Sequence, residues 1–94
     1  MKERSIETRL RKQVRLLHGL CLKFVSPGSA GVPDRIVILP GGKVIFVELK
    51  TDQGRLSAIQ KACQAEMRRV GADVRTLYGV EDVQAFVEEA RHDL

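Results

Sequence analysis

Tryptophan is absent from this chain, and one tyrosine and three phenylalanines are its only aromatics. So few flat side chains argue against a surface that stacks on the bases of a single strand. No apolar run approaches the roughly 20 residues that span a bilayer, and no signal-peptide pattern opens the chain. The cysteines, Cys21 and Cys63, stand apart among apolar neighbours, so they read as buried free thiols rather than a disulfide or a zinc site. His18 and His92 make no metal-ligand spacing with them. A glycine-rich phosphate loop and a G-x-S-x-G elbow are also missing, which removes the familiar nucleotide-binding and serine-hydrolase signatures. A cytoplasmic protein is the expectation.

What is present fits one modest domain over residues 1–94, small enough for dimerisation to aid its stability. Apolar content of 44% with 30% charged residues describes a folding chain rather than a disordered one. The net charge of +4 is unevenly spread. Over residues 1–24, seven cations stand against two acids, whereas residues 81–94 hold five acids and Arg91. A basic amino-terminal helix suits a polyanion, and it reads equally as an ordinary charged helix face.

Periodicity predicts the order αβββαβα. The first helix is expected from Ile6 to His18, with Ser5 as N-cap, Gly19 beyond its end, and Ile6, Leu10, Val14 and Leu17 facing inward. Glu7 borders that stripe, where it either looks toward the sheet or serves the helix dipole. Leu20 to Val25 reads as a strand, followed by the small-residue loop Ser26–Pro33, a lip over a groove or a plain connector. After a hairpin and a loop over 51–56, Ser57 opens a second helix ending near Val70-Gly71. Its expected inner face is Ile59, Cys63, Met67 and Val70. Ser57 and Gln60 form the S-x-x-Q capping box, which accounts for Gln60 structurally. Asp73 to Tyr78 reads as the last strand and Glu81 to Arg91 as a closing helix, with Val83, Phe86, Val87 and Ala90 inward.

The informative feature is a broken motif: Pro33-Asp34, a hairpin, then Glu48-Leu49-Lys50. Glu48 and Lys50, two apart on a strand, share a face. Burying such a pair at the end of the apolar run GKVIFVELK is costly unless a cation and an anion compensate it. A solvated strand end with a local ion pair is the plain alternative. The upstream acid bears on that choice. If Pro40-Gly41-Gly42 is a three-residue loop, Leu39 pairs with Lys43, and counting outward sets Asp34 opposite Glu48. Opposed Cβ atoms lie roughly 4.5–5.5 Å apart, near enough to share one cation. A two-residue Gly41-Gly42 loop would instead put the acids on opposite faces.

Taken in order, Glu7, Pro33-Asp34, Glu48-Leu49-Lys50 and Gln60 resemble the PD-(D/E)XK nuclease superfamily, and more closely a stand-alone VRR-NUC domain of the phage and prophage type. The Val-Arg-Arg triplet that names the group does not occur contiguously here. The resemblance implies an α/β fold: a restriction-endonuclease-like αβββαβ core with a mixed sheet flanked by helices. It implies Mg²⁺ or Mn²⁺ held by Asp34, Glu48 and the Leu49 carbonyl, with Lys50 catalytic and Glu7 and Gln60 lining the site. It further implies hydrolysis of DNA phosphodiesters to 5′-phosphate and 3′-hydroxyl ends. Small VRR-NUC homologues resemble dimeric junction resolvases, so a homodimer acting on branched DNA such as a Holliday junction is expected. Charge and loop position nominate Arg4, Arg11, Lys23, Arg35 and Arg55 as DNA contacts. The rival is a nucleic-acid-binding protein without catalysis on the same scaffold.

Overall fold

The computed structural model describes residues 2–94. Its elements are α1 (Glu3–Leu16), β1 (Leu20–Lys23), β2 (Arg35–Leu39), β3 (Lys43–Lys50), α2 (Ala58–Arg69), β4 (Asp73–Tyr78) and α3 (Gly79–His92). The strands form a sheet in the order β1-β2-β3-β4. β1, β2 and β3 run antiparallel in turn, and β4 lies parallel to β3. A parallel neighbour requires a crossover, and α2 supplies it.

The α1 helix starts earlier than its sequence indicates. Lys2 is the N-cap and makes no side-chain capping bond, so Ser5 sits inside the first turn. Glu3, the first helical residue, meets the positive end of the helix dipole instead. At the other end, His18 takes the left-handed conformation (φ 65°). Its N–H bonds the Arg15 carbonyl at 2.9 Å, and the Gly19 N–H bonds the Val14 carbonyl at 3.0 Å, a Schellman ending. Gly19 has a different task. A Cβ there would lie 2.8 Å from the Ile38 carbonyl oxygen, so its bareness lets the chain pass close to β2.

The hairpin takes the three-residue form. Leu39 pairs with Lys43, the Gly42 N–H bonds the Leu39 carbonyl at 2.9 Å, and Gly41 and Gly42 both have positive φ (93° and 88°). This register places Val37, Leu39, Ile45, Val47 and Leu49 on one face. There they meet Ile6, Leu10 and Val14 of α1 and Val83, Phe86, Val87 and Ala90 of α3 in a single core cluster.

The other face is covered only in part, where α2 packs against β4. Beyond that cover, Leu20, Leu22 and Val44 are 56, 46 and 41% exposed, beside half-buried Ile36, Ile38 and Phe46. β1 stops at Lys23 rather than Val25, although the Phe24 N–H still bonds the Asp34 carbonyl at 2.9 Å.

The inner face of α2 differs from the expected stripe. Ile59 and Val70 are exposed, and Gln64 is the buried residue, so the stripe runs Gln60, Cys63, Gln64, Met67. Gln64 Oε1 accepts from the Thr76 hydroxyl on β4, and Arg68 Nη2 donates to the Val74 carbonyl of the same strand, so polar bonds to β4 rather than hydrophobicity orient the helix. α3 begins at Gly79 rather than Glu81, and its inward residues are those expected.

Cys21 and Cys63 are free and half-buried rather than fully enclosed. Burial pushes the Cys21 thiol up to about 11, leaving it unreactive at neutral pH. Among the described residues no helix is long and apolar enough to cross a membrane.

Leu10 is fully buried between helix and sheet. Leu10→Ala is expected to cost about 2–5 kcal/mol, measured as a fall in urea midpoint at constant m.

Candidate active site

Asp34 lies one residue before β2, and its backbone is fixed from two sides. Its carbonyl accepts the Phe24 N–H at 2.9 Å and Arg35 Nη1 at 2.8 Å. The strand ladder runs to Arg35 opposite Val47, and one further step brings Asp34 opposite Glu48. The Asp34 carboxylate accordingly reaches β3, where Oδ1 accepts the Leu49 N–H at 3.3 Å.

Glu48 is 5% exposed, though its side chain carries charge. Gln60 Nε2 donates to its Oε2 at 3.3 Å, and the Lys50 ammonium stands 3.7 Å from the same oxygen. Gln60 also completes the capping box: its Oε1 accepts the Ser57 N–H at 2.9 Å and its own N–H bonds the Ser57 hydroxyl at 3.1 Å. The cap therefore fixes the rotamer that touches Glu48. The loop leaving Lys50 turns back so that Asp52 lies against Gly79, in the space where a Cβ would sit.

Both carboxylates hold their protons more tightly than usual. Burial is the main cause at Asp34, eased by Arg35 and the Leu49 N–H. Burial also leads at Glu48, followed by the Asp34 charge, with Lys50 opposing. The negative charge of Glu3 raises both. A pair of raised carboxylates at one rim, beside an ammonium group, is chemically able to hold a hard cation. Among the described residues no third His, Cys, Asp or Glu side chain closes a full cage around them.

Two of the residues nominated from sequence stand elsewhere. Glu7 is engaged by cations, its Oε1 lying 3.5 Å from Arg35 Nε and 3.8 Å from Arg11 Nη1. The α1 acid felt at both site carboxylates is Glu3. Glu3 and Glu7 are one helical turn apart and share a face. Arg35, nominated as a DNA contact, has a side chain only 17% exposed and committed to Glu7 and to the Asp34 carbonyl. Arg4, Arg11, Lys23 and Arg55 are exposed.

The VRR-NUC domain model matches residues 2–81. The chain belongs to the VRR-NUC family. This VRR-NUC chain is 44% identical over 77 residues to p44, a proposed nuclease of Acyrthosiphon pisum secondary endosymbiont phage 1, covering 82% of this chain and 83% of that protein. A solved VRR-NUC domain structure superposes with a TM-score of 0.86 at 29% identity, over 92% of this chain and 94% of the other. By family the chain is a nuclease, and its α/β architecture, a mixed sheet with flanking helices, is that of the solved domain.

The raised carboxylates carry a pH dependence of definite sign. The folded chain keeps these protons to higher pH than the unfolded chain, whose carboxyls titrate near about 4. Stability therefore falls as pH rises from that range through the raised folded values, and the ionised pair is a cost at neutral pH. In EDTA at pH 7.5, Asp34→Asn is expected to have a higher urea midpoint than the wild type, the gap closing below about pH 4.

Proposed function

We propose that this chain is a metal-dependent, structure-specific endonuclease that hydrolyses DNA phosphodiesters at branched sites such as Holliday junctions. The observation that carries the reading is the juxtaposition of Asp34 and Glu48 across the hairpin, with Lys50 3.7 Å from Glu48. The donor set fits Mg²⁺ or Mn²⁺, because two carboxylates suffice for an ion that keeps several of its waters. Asp34 and Glu48 would hold it, with the Leu49 carbonyl as a further oxygen donor.

When bound, such an ion polarises a phosphate oxygen and makes a nearby water more acidic. The chain supplies the rest. Lys50, on the same face as Glu48, presents its ammonium to the attacked phosphate and orients the incoming water. Gln60 holds Glu48 through Nε2, so the carboxylate does not turn away from Asp34. Arg4, Arg11, Lys23 and Arg55 offer exposed charge to the backbone, which favours recognition by shape and phosphate rather than base sequence. The free cysteines agree with a reducing, cytoplasmic setting.

Dimerisation completes the proposal. The uncovered sheet face around Leu22 and Val44 is self-complementary in chemistry and would be hidden by a second copy. Two such sites related by a two-fold axis suit paired cuts across a junction. Leu22→Asp is expected to yield monomers by light scattering and to uncouple the paired cuts on a four-way junction.

The catalytic reading is tested with labelled four-way junctions in Mg²⁺, Mn²⁺ or EDTA, against duplex, flap and single-strand controls. Cleavage should require the metal, and Lys50→Ala should slow it by about 10²–10⁴-fold. Salt-sensitive binding with no product under any ion would instead establish the non-catalytic binding protein.

A further inference from the structure

Glu7 and Arg35 form a sheltered ion pair that the catalytic constellation does not use. Their side chains are 18 and 17% exposed, and the pair bridges α1 to the first residue of β2. Isolated pairs under cover are poor sources of stability, because desolvation offsets their attraction. What this pair touches next is more informative. Arg35 Nη1 donates to the carbonyl of Asp34, the acid that reaches toward Glu48. With the Phe24 N–H on the same oxygen, two donors fix the peptide from which the Asp34 carboxylate projects. Arg35 Nε is buried and has no hydrogen-bond partner, so the guanidinium has been drawn to the Asp34 carbonyl at the expense of an ideal fork onto Glu7.

We infer that Glu7 and Arg35 are positioning residues: a strut from α1 that holds the Asp34 backbone in its cation-binding pose. The inference rests on the metal-dependent reading of Asp34 and Glu48. Without the strut, the repulsion between the two ionised carboxylates swings Asp34 outward before a cation arrives. Arg11, 57% exposed and 3.8 Å from the same Glu7 oxygen, is screened by solvent and does not replace Arg35. Lysine does not replace it either, since a single ammonium lacks the separated donors that reach Glu7 and the Asp34 carbonyl together. The strut thus governs cation affinity, and it contributes neither a reacting group nor a DNA contact.

The test titrates Mn²⁺ into the wild type, Glu7→Gln, Arg35→Lys and Arg35→Met by calorimetry, with urea midpoints in EDTA to confirm folding. Each variant should bind Mn²⁺ about 10–100-fold more weakly, the range for groups that orient metal ligands. Cleavage at saturating Mn²⁺ should stay within about threefold of wild type, as for lost ground-state affinity. The salt slope of junction binding should be unchanged. If Arg35→Met does not fold, Arg35→Lys and Glu7→Gln decide the matter. Glu7→Gln with normal Mn²⁺ affinity and an abolished maximal rate would overturn the inference by making Glu7 a catalytic residue. Arg35→Lys or Arg35→Met with normal Mn²⁺ affinity and an altered salt slope would overturn it in favour of a DNA contact. Variants indistinguishable from wild type sink the strut alone, whereas a wild type that takes up no Mn²⁺ sinks the metal-dependent reading and the strut with it.

Discussion

Strand parity governs this molecule. Side chains alternate across a sheet, so one residue more or less between Leu39 and Lys43 would carry Asp34 to the face opposite Glu48. Pro40, Gly41 and Gly42 set that parity. The two glycines take left-handed backbone that other residues adopt only at a cost, and proline cannot extend the ladder as a donor. The same count turns Val37 and Ile45 into the core. A slip in register would therefore lose packing and chemistry together, and the need to bury the core protects the site geometry.

Local charge balance is where the fold works against itself. Glu48 is buried beside Asp34, and both resist ionisation. The surroundings temper this conflict with directed donors: the Leu49 N–H on Asp34, and Gln60 and Lys50 on Glu48. Conflict of this kind at a site, in an otherwise consistent chain, marks selection for function over stability.

Much of this was legible in the sequence because it depends on short-range rules. A β-branched run followed by Pro40-Gly41-Gly42 marked the hairpin, loop length decided its register, and Ser57 with Gln60 announced the start of α2. Gln60 was undecided between cap and site, and different atoms of its one amide touch the Ser57 cap and the Glu48 carboxylate. Less legible was anything set by tertiary contact. Ile59 looked like an inner-face residue by hydrophobicity, yet polar bonds to β4, from the Thr76 hydroxyl to Gln64 and from Arg68 to the Val74 carbonyl, rotate the helix and leave it outside. The start of α1 at Glu3 was not legible because its N-terminus lacks a capping side chain to mark it. Arg35 carried no sign of its partner, since Glu7 is distant in sequence and meets it only once the helix docks.

The polar underside of α2 has a mechanical consequence. Only Gln64 of this helix is buried, whereas α1 buries Ile6, Leu10 and Val14 and α3 also contributes several apolar side chains to the core. An element anchored by few apolar contacts opens at lower free energy than the rest, so its amides should exchange with solvent first. The wall that bears Gln60 is therefore the softer side of the cleft, and the hairpin that bears the acids is the rigid one.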